Sequence, residues 1–197
     1  MAYKSILGTV CACLMVVSFN SNAILIGRLA ATEGSTDYQA YYDTDADLTW
    51  LADAYADYQR SLTPAKSWAT NLDVDGVTGW RLPDADPSCA FEYNCADSEI
   101  ANLFYNVLGN TAGSLTNTGP FFDVRTGYYW LDSGIRFSMG SGQHGGLGGF
   151  NVTLNAWAVH SGDVEPPLAL PIPSTLWLFG SGLLGLGLVG VARRKKA

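Results

Sequence analysis

Positive charge is scarce wherever it could shape a globular surface. Five of the 11 Lys and Arg sit near the ends (Lys4, Arg193, Arg194, Lys195 and Lys196), leaving six between Ile24 and Pro171 against all 18 Asp and Glu. A surface this acidic repels phosphate backbones, which excludes general nucleic-acid binding. Histidine is scarcer still, with only His144 and His160 in the chain. No His/Cys spacing suits zinc, no Gly-x-Ser-x-Gly elbow is present, and nothing supports a Ser-His-Asp triad. His144 lies in a glycine-rich stretch expected to be a flexible loop that cannot pre-organise a base, so no catalytic residue is expected and the chain is not read as an enzyme. Charged residues are only 15% of the chain, yet 6 Trp, 10 Tyr and 8 Phe supply ample core material and exclude disorder.

The ends are hydrophobic for a different reason. Lys4 precedes an apolar stretch from Ile6 to Phe19, and Ser21-Asn22-Ala23 places small residues at cleavage positions. Residues 1–23 are therefore expected to be a secretory signal, cut after Ala23. At the other end, residues 164–175 hold several prolines and predict an extended stalk. Residues 176–192 form an uncharged, glycine-rich run, followed by the four cations at 193–196. Seventeen residues at about 1.5 Å each span roughly 25 Å, enough for a thin bilayer, and the basic end is expected to stay cytoplasmic. That topology exports the acidic middle across the inner membrane.

The order Pro171-Ile172-Pro173, then the apolar glycine-rich run, then Arg193-Arg194 is similar to the PEP-CTERM sorting signal of Gram-negative bacteria. The resemblance implies processing by an exosortase, transient residence in the inner membrane, and a final place on the cell surface or outside the cell. Ile172 stands where the namesake Glu is usual.

The middle, residues 24–163, shows neither a repeat nor a linker. Thr63 as cap, Pro64 at the first helical position, and apolar Ala65, Trp68, Ala69 and Leu72 predict one helix. A second is expected from Asp97 or Ser98, with Ile100, Leu103, Phe104, Val107 and Leu108 on one face and Gly109 as its stop. Strands are expected at 38–42, 48–51, 128–131, 135–139 and 156–160, the first two as a hairpin. Short strands with two helices and long loops predict an α+β fold.

Of four cysteines, Cys11 and Cys13 would leave with the signal. Cys89 and Cys95 are then expected to form a disulfide in an oxidising compartment, closing a short loop for about 2 kcal/mol. Four stretches carry a second resemblance: Leu48-Thr-Trp-Leu-Ala-Asp-Ala54, Trp80-Arg-Leu-Pro83, Ser98-Glu99 through Leu103-Phe104-Tyr105, and Trp157-Ala-Val159, with Tyr129-Trp130 between the last two. Their order is similar to the Lcl C-terminal domain family. That likeness implies a C-type-lectin-like domain over residues 24–163 and a role in binding carbohydrate or exopolysaccharide. His160-Ser161 departs from the Arg-Pro pair common in the family. The fold is shared with formylglycine-generating enzymes, which need a reactive cysteine pair. The other alternative is a purely structural biofilm-matrix protein acting through protein contacts.

Asp43-x-Asp45-x-Asp47 resembles the opening of a calcium loop but lacks its glycine and its closing glutamate, and a second candidate, Asp73-Val74-Asp75-Gly76, is shorter still. Both are expected to be turns with Asx hydrogen bonds, and no cofactor is assigned, a weak calcium site being the competing reading. Trp50, Trp80, Trp130 and Trp157 are expected in the core. Arg81 is expected to pair with a carboxylate. One of Tyr128 and Tyr129 should be exposed, and the loop 140–149 is the expected binding surface.

Overall fold

A computed structural model describes residues 23–32, 34–149 and 152–164. The expected signal up to residue 22, the stalk from residue 165, the apolar run and the basic tail lie outside the described residues. Among those described, no helix is long and apolar enough to cross a membrane.

The fold is α+β, with two sheets and two helices. Alternating aromatic and small residues build the hairpin: β2 (Tyr38–Asp43) and β3 (Leu48–Leu51) pair antiparallel with Tyr41 opposite Trp50 and Asp43 opposite Leu48. β1 (Leu25–Ala30) adds to the free side of β2, and β9 (Val159–Ser161) adds to β3, giving the order β1-β2-β3-β9. The second sheet runs β4-β8-β5-β6-β7. Its strands are β4 (Asp57–Arg60), β5 (Tyr128–Trp130), β6 (Ile135–Ser138), β7 (His144–Leu147) and β8 (Leu154–Ala156).

The single strand expected at 156–160 is two strands in different sheets. Ala156 pairs with Asp57, whereas Val159 pairs with Trp50. Trp157 and Ala158 make the crossing, fully buried, with Trp157 Nε1 donating to Leu51 O (2.7 Å) and Leu51 N donating to Ala158 O (3.1 Å). Continuous hydrophobicity hides such a break, because both sheets need apolar residues at it.

The first helix begins differently from expectation, and the second changes character part-way along. α1 (Leu62–Thr70) is capped by Ser61 rather than Thr63, with no side-chain bond at the cap, and Pro64 falls at the third helical position. Proline is tolerated there because the first four amides of a helix have no intrahelical acceptor. α2 (Glu99–Asn102) starts at Ser98 as expected, then widens into a π-helical turn over Leu103–Val107, where Leu108 N reaches Leu103 O (2.9 Å). Gly109, at φ 67°, ends it.

Trp50, Trp80, Trp130 and Trp157 are all at most 1% exposed. Trp157 meets Trp50 and Phe121 edge-on at 5.3 and 5.0 Å between centroids. Arg81 clamps the assembly. Its backbone exchanges two 2.9 Å bonds with Val159, and its guanidinium pairs bidentately with Glu99 at 2.7 Å while reaching Ser161 Oγ. The paired Glu99 carboxylate raises the Arg81 pKa, against a smaller opposing effect of burial.

Candidate functional site

Among the described residues, each one singled out by sequence has a definite place. Cys89 and Cys95 are joined by a disulfide. Cys89 is fully buried, and the loop it closes holds Phe91 and Asn94 at left-handed φ of 67° and 56°. This loop is fastened at two points. Asn94 N donates to Tyr105 Oη, which itself donates to Gly142 O (2.6 Å), and His144 N donates to Glu92 O (3.1 Å).

The 140–149 segment is not the flexible loop expected. Its middle is strand β7, paired with β6, and His144, Gly145 and Gly146 are buried. Glycine permits this because a side chain at Gly146 would overlap the ring of Phe91, which lies over it. His144 is therefore fixed rather than mobile, and its Nε2 lies 2.6 Å from Ser98 Oγ. Burial pushes the His144 pKa below the ordinary imidazole range, against smaller opposing effects of the Glu92 carbonyl and the Asp86 carboxylate. The pair has the distance of a nucleophile and its base. Ser98 is only 1% exposed and His144 0%, so Oγ offers no face to a substrate. His144 Nδ1 has no partner to orient it, unlike the imidazole of an acyl-transfer triad. His160 packs against Trp80, at 5.7 Å between ring centroids.

The acidic turns are built from Asx bonds. Asp43 Oδ1 accepts from the amides of Asp45 and Ala46 (3.1 and 3.3 Å), and Asp73 Oδ1 accepts from Gly76 N (2.8 Å). Asp47 Oδ1 accepts from Tyr42 Oη (2.8 Å), so the three carboxylates of the first turn do not converge on one point. Among the described residues the only trio within metal-ligating reach is Cys89, Cys95 and Asp97, and its two sulfurs are bonded to each other. Burial raises the Asp43 carboxyl pKa against the pull of its two amide donors. Tyr129 is buried and Tyr128 is 36% exposed. The Tyr129 phenol, accepting from Arg125 N, is pushed up to about 12 by burial.

Two hollows open elsewhere on the surface. A parallel bridge joins Asp53 to Phe122, with Ala54 N donating to Phe122 O and Phe122 N to Ala52 O, both at 3.1 Å. A tight turn at Asp75-Gly76 (φ 54° and 84°) returns Val77 onto Val74. Between these turns and the start of β2 opens a cleft of about 460 Å³. Its floor is apolar, with Leu51 and Val74, and its rim carries Asp37, Asp53, Asp73 and Asp75 beside Tyr38 and Phe122. Phe122 is 51% exposed, a large aromatic left in water beside carboxylates. A second, larger hollow of about 680 Å³ runs along α1, with Trp68, Asn71 and Arg60 among its walls. The two share Leu72 and Asp73, so they adjoin.

Sequence reasoning placed none of Tyr38, Asp53 or Phe122 at a site. Only the pairing of residues 52–54 with 122, about seventy positions apart, brings them together, and no local pattern encodes it. The signal that was available is Phe121-Phe122: adjacent residues with extended backbone face opposite ways, so one of two aromatics is turned outward.

No family model, curated protein or solved structure matches the chain.

Proposed function

We propose that this is an exported, non-catalytic surface or extracellular-matrix protein that binds polysaccharide in the paired hollows. The observation that carries the reading is half-exposed Phe122 set beside the acidic rim of the cleft. A sugar ring presents an apolar C–H face and a rim of hydroxyls. The first suits an aromatic platform, and the second suits carboxylates, which are acceptors only and form short, strong bonds with O–H donors. The cleft's volume falls in the usual range for small-ligand sites, and the adjoining hollow extends it for a polymer of several residues.

Export and sorting belong to the same reading. The signal-like residues 1–23, Pro171 and Pro173, the apolar run at 176–192, and Arg193-Arg194 support passage through the inner membrane and recognition by an exosortase. A polysaccharide pull-down with residues 24–163 tests the binding role. Retention on at least one extracellular polymer, lost in Phe122→Ala, is expected. Retention unaffected by Phe122→Ala would overturn this placement of the site.

A second reading, a matrix protein acting through protein contacts, draws on one observation. Phe91, Tyr93 and Leu147 are 67, 45 and 74% exposed, two of them on the disulfide loop and Leu147 just beyond the glycine covered by Phe91. Concentration-dependent self-association abolished by Phe91→Ser would favour it.

A further inference from the structure

We infer that the preferred ligand is a cationic polysaccharide, one whose sugars carry free amino groups; this rests on the carbohydrate reading above. The feature is the 460 Å³ cleft itself, and what selects its occupant is charge. Four carboxylates, Asp37, Asp53, Asp73 and Asp75, line it, and no Lys, Arg or His does. Two of them are partly committed to the fold: Asp53 Oδ1 accepts from Tyr55 N and Asp73 Oδ1 from Gly76 N, both at 2.8 Å. Asp37 and Asp75 are exposed and have no side-chain partner among the described residues, so their oxygens face the solvent of the cleft.

Three occupants compete. A uronate or sulfated polymer would bring like charge to four carboxylates, within a domain holding six basic against 17 acidic residues, and is repelled. A neutral polymer gains the aromatic contact and hydroxyl bonds alone. An amino polymer gains those and adds charge-assisted bonds from each ammonium that meets a carboxylate, together with attraction to the faces of Tyr38 and Phe122. Exposed ion pairs are individually weak, so each carboxylate contributes about two- to fivefold in affinity, and the preference comes from several acting on a repeating ligand. Salt weakens the added part, since the screening length is about 10 Å at 0.1 M.

The test is calorimetric titration of the full-length chain with three probes below the pKa of the sugar amine: a β-1,4-glucosamine hexamer, its fully N-acetylated counterpart, and an oligogalacturonate. The amino hexamer is expected to bind at least tenfold more tightly than the acetylated one, with no detectable binding of the oligogalacturonate. Asp37→Asn/Asp75→Asn is expected to remove most of that tenfold preference while leaving affinity for the acetylated hexamer unchanged. Asp84→Asn/Asp97→Asn, two exposed carboxylates that line neither hollow, is expected to change nothing.

Equal binding of the amino and acetylated hexamers would overturn the inference and leave the carbohydrate reading standing. A loss as large in Asp84→Asn/Asp97→Asn as in the cleft variant would also overturn it, because attraction would then be to the whole acidic surface. No binding of any probe overturns the amino preference, and the polymer pull-down then decides the carbohydrate reading separately.

Discussion

Replacing Ser98 by Ala removes one hydroxyl from the junction between α2 and β7. Ser98 and His144 are at most 1% exposed, and Ser98 Oγ lies 2.6 Å from His144 Nε2. The Ser98 hydroxyl does not cap its own helix, so the imidazole is its one side-chain partner among the described residues. His144 Nδ1 already lacks a partner, so Ser98→Ala leaves a buried imidazole with neither nitrogen satisfied. Stranding a buried polar group costs about 1–3 kcal/mol. For a domain of this size each kcal/mol is worth about 3–5 °C, so Tm should fall by roughly 3–15 °C. A double-mutant cycle with His144→Leu isolates the pair and should return a coupling of about 1 kcal/mol or more. The pH dependence follows from the depressed imidazole pKa. The unfolded chain takes up the proton first, so the stabilisation from neutral His144 is complete above about pH 6.5 and is lost as pH falls toward the folded-state value. His144→Leu removes that loss. Denaturant titration across pH measures all of this. A Ser98→Ala midpoint unchanged within about 0.5 kcal/mol, with no coupling in the cycle, would refute the reasoning.

Other consequences follow from the same geometry. Cys89→Ser/Cys95→Ser, or reduction, should cost about 2 kcal/mol from loop closure, read as a Tm lower by about 6–10 °C, and an unchanged melt would deny the loop any role in stability. Asp43→Asn keeps the Oδ1 acceptor for Asp45 and Ala46 while removing a buried charge whose Oδ2 has no partner. Because burial raises the Asp43 pKa, its favourable contribution is present below the ordinary carboxylate range of about 4 and is lost as pH rises through the raised value. The Asn variant should therefore be more stable than the wild type near neutrality, by an amount of order 1 kcal/mol, with the gap closing in acid, and a loss of stability at neutral pH would contradict it. EDTA should leave the melt unmoved, since Asp43 and Asp47 spend oxygens on local donors, and a chelator-induced fall in Tm would reinstate calcium.

What could be read from the sequence was what local chemistry determines. The hairpin 38–51 was legible because strongly strand-forming residues flank an Asx turn, and the observed β3 matches the expected 48–51. Arg81 was expected to find a carboxylate and found Glu99. The cysteine pair was legible from its spacing and is bonded. What was lost depended on long-range pairing. β7 reads as a loop, because His-Gly-Gly-Leu has almost no intrinsic strand preference; it becomes a strand only because Arg136 and Phe137 offer it a ladder and Phe91 fills the space above Gly146. β4 was missed for the same reason, its partner β8 lying far along the chain, whereas β1 was missed although it pairs with the next strand, β2. The cleft belongs to this class too, since neither Asp53 nor Phe122 carries a local mark of function.

The crossing at Trp157-Ala158 explains why the cleft has a firm floor. Trp157 ties β3 to β8 through Leu51 O, and Leu51 N is held by Ala158 O, so both backbone groups of Leu51 are fixed by the strand that leaves one sheet for the other. Leu51 is itself part of the cleft floor, and the next residue, Ala52, donates to Gln39 O and accepts from Phe122 N. The position of Phe122 is thus set two bonds away from Trp157, whose ring also packs on Phe121 at 5.0 Å. A recognition aromatic on a loop usually costs ordering entropy when it binds. Here the neighbouring core residue, the bridge to Asp53 and the inter-sheet crossing have already met that cost in folding. A truncation of Trp157 should therefore weaken binding in the cleft as well as stability, whereas a cleft-rim substitution such as Asp75→Asn should touch binding alone.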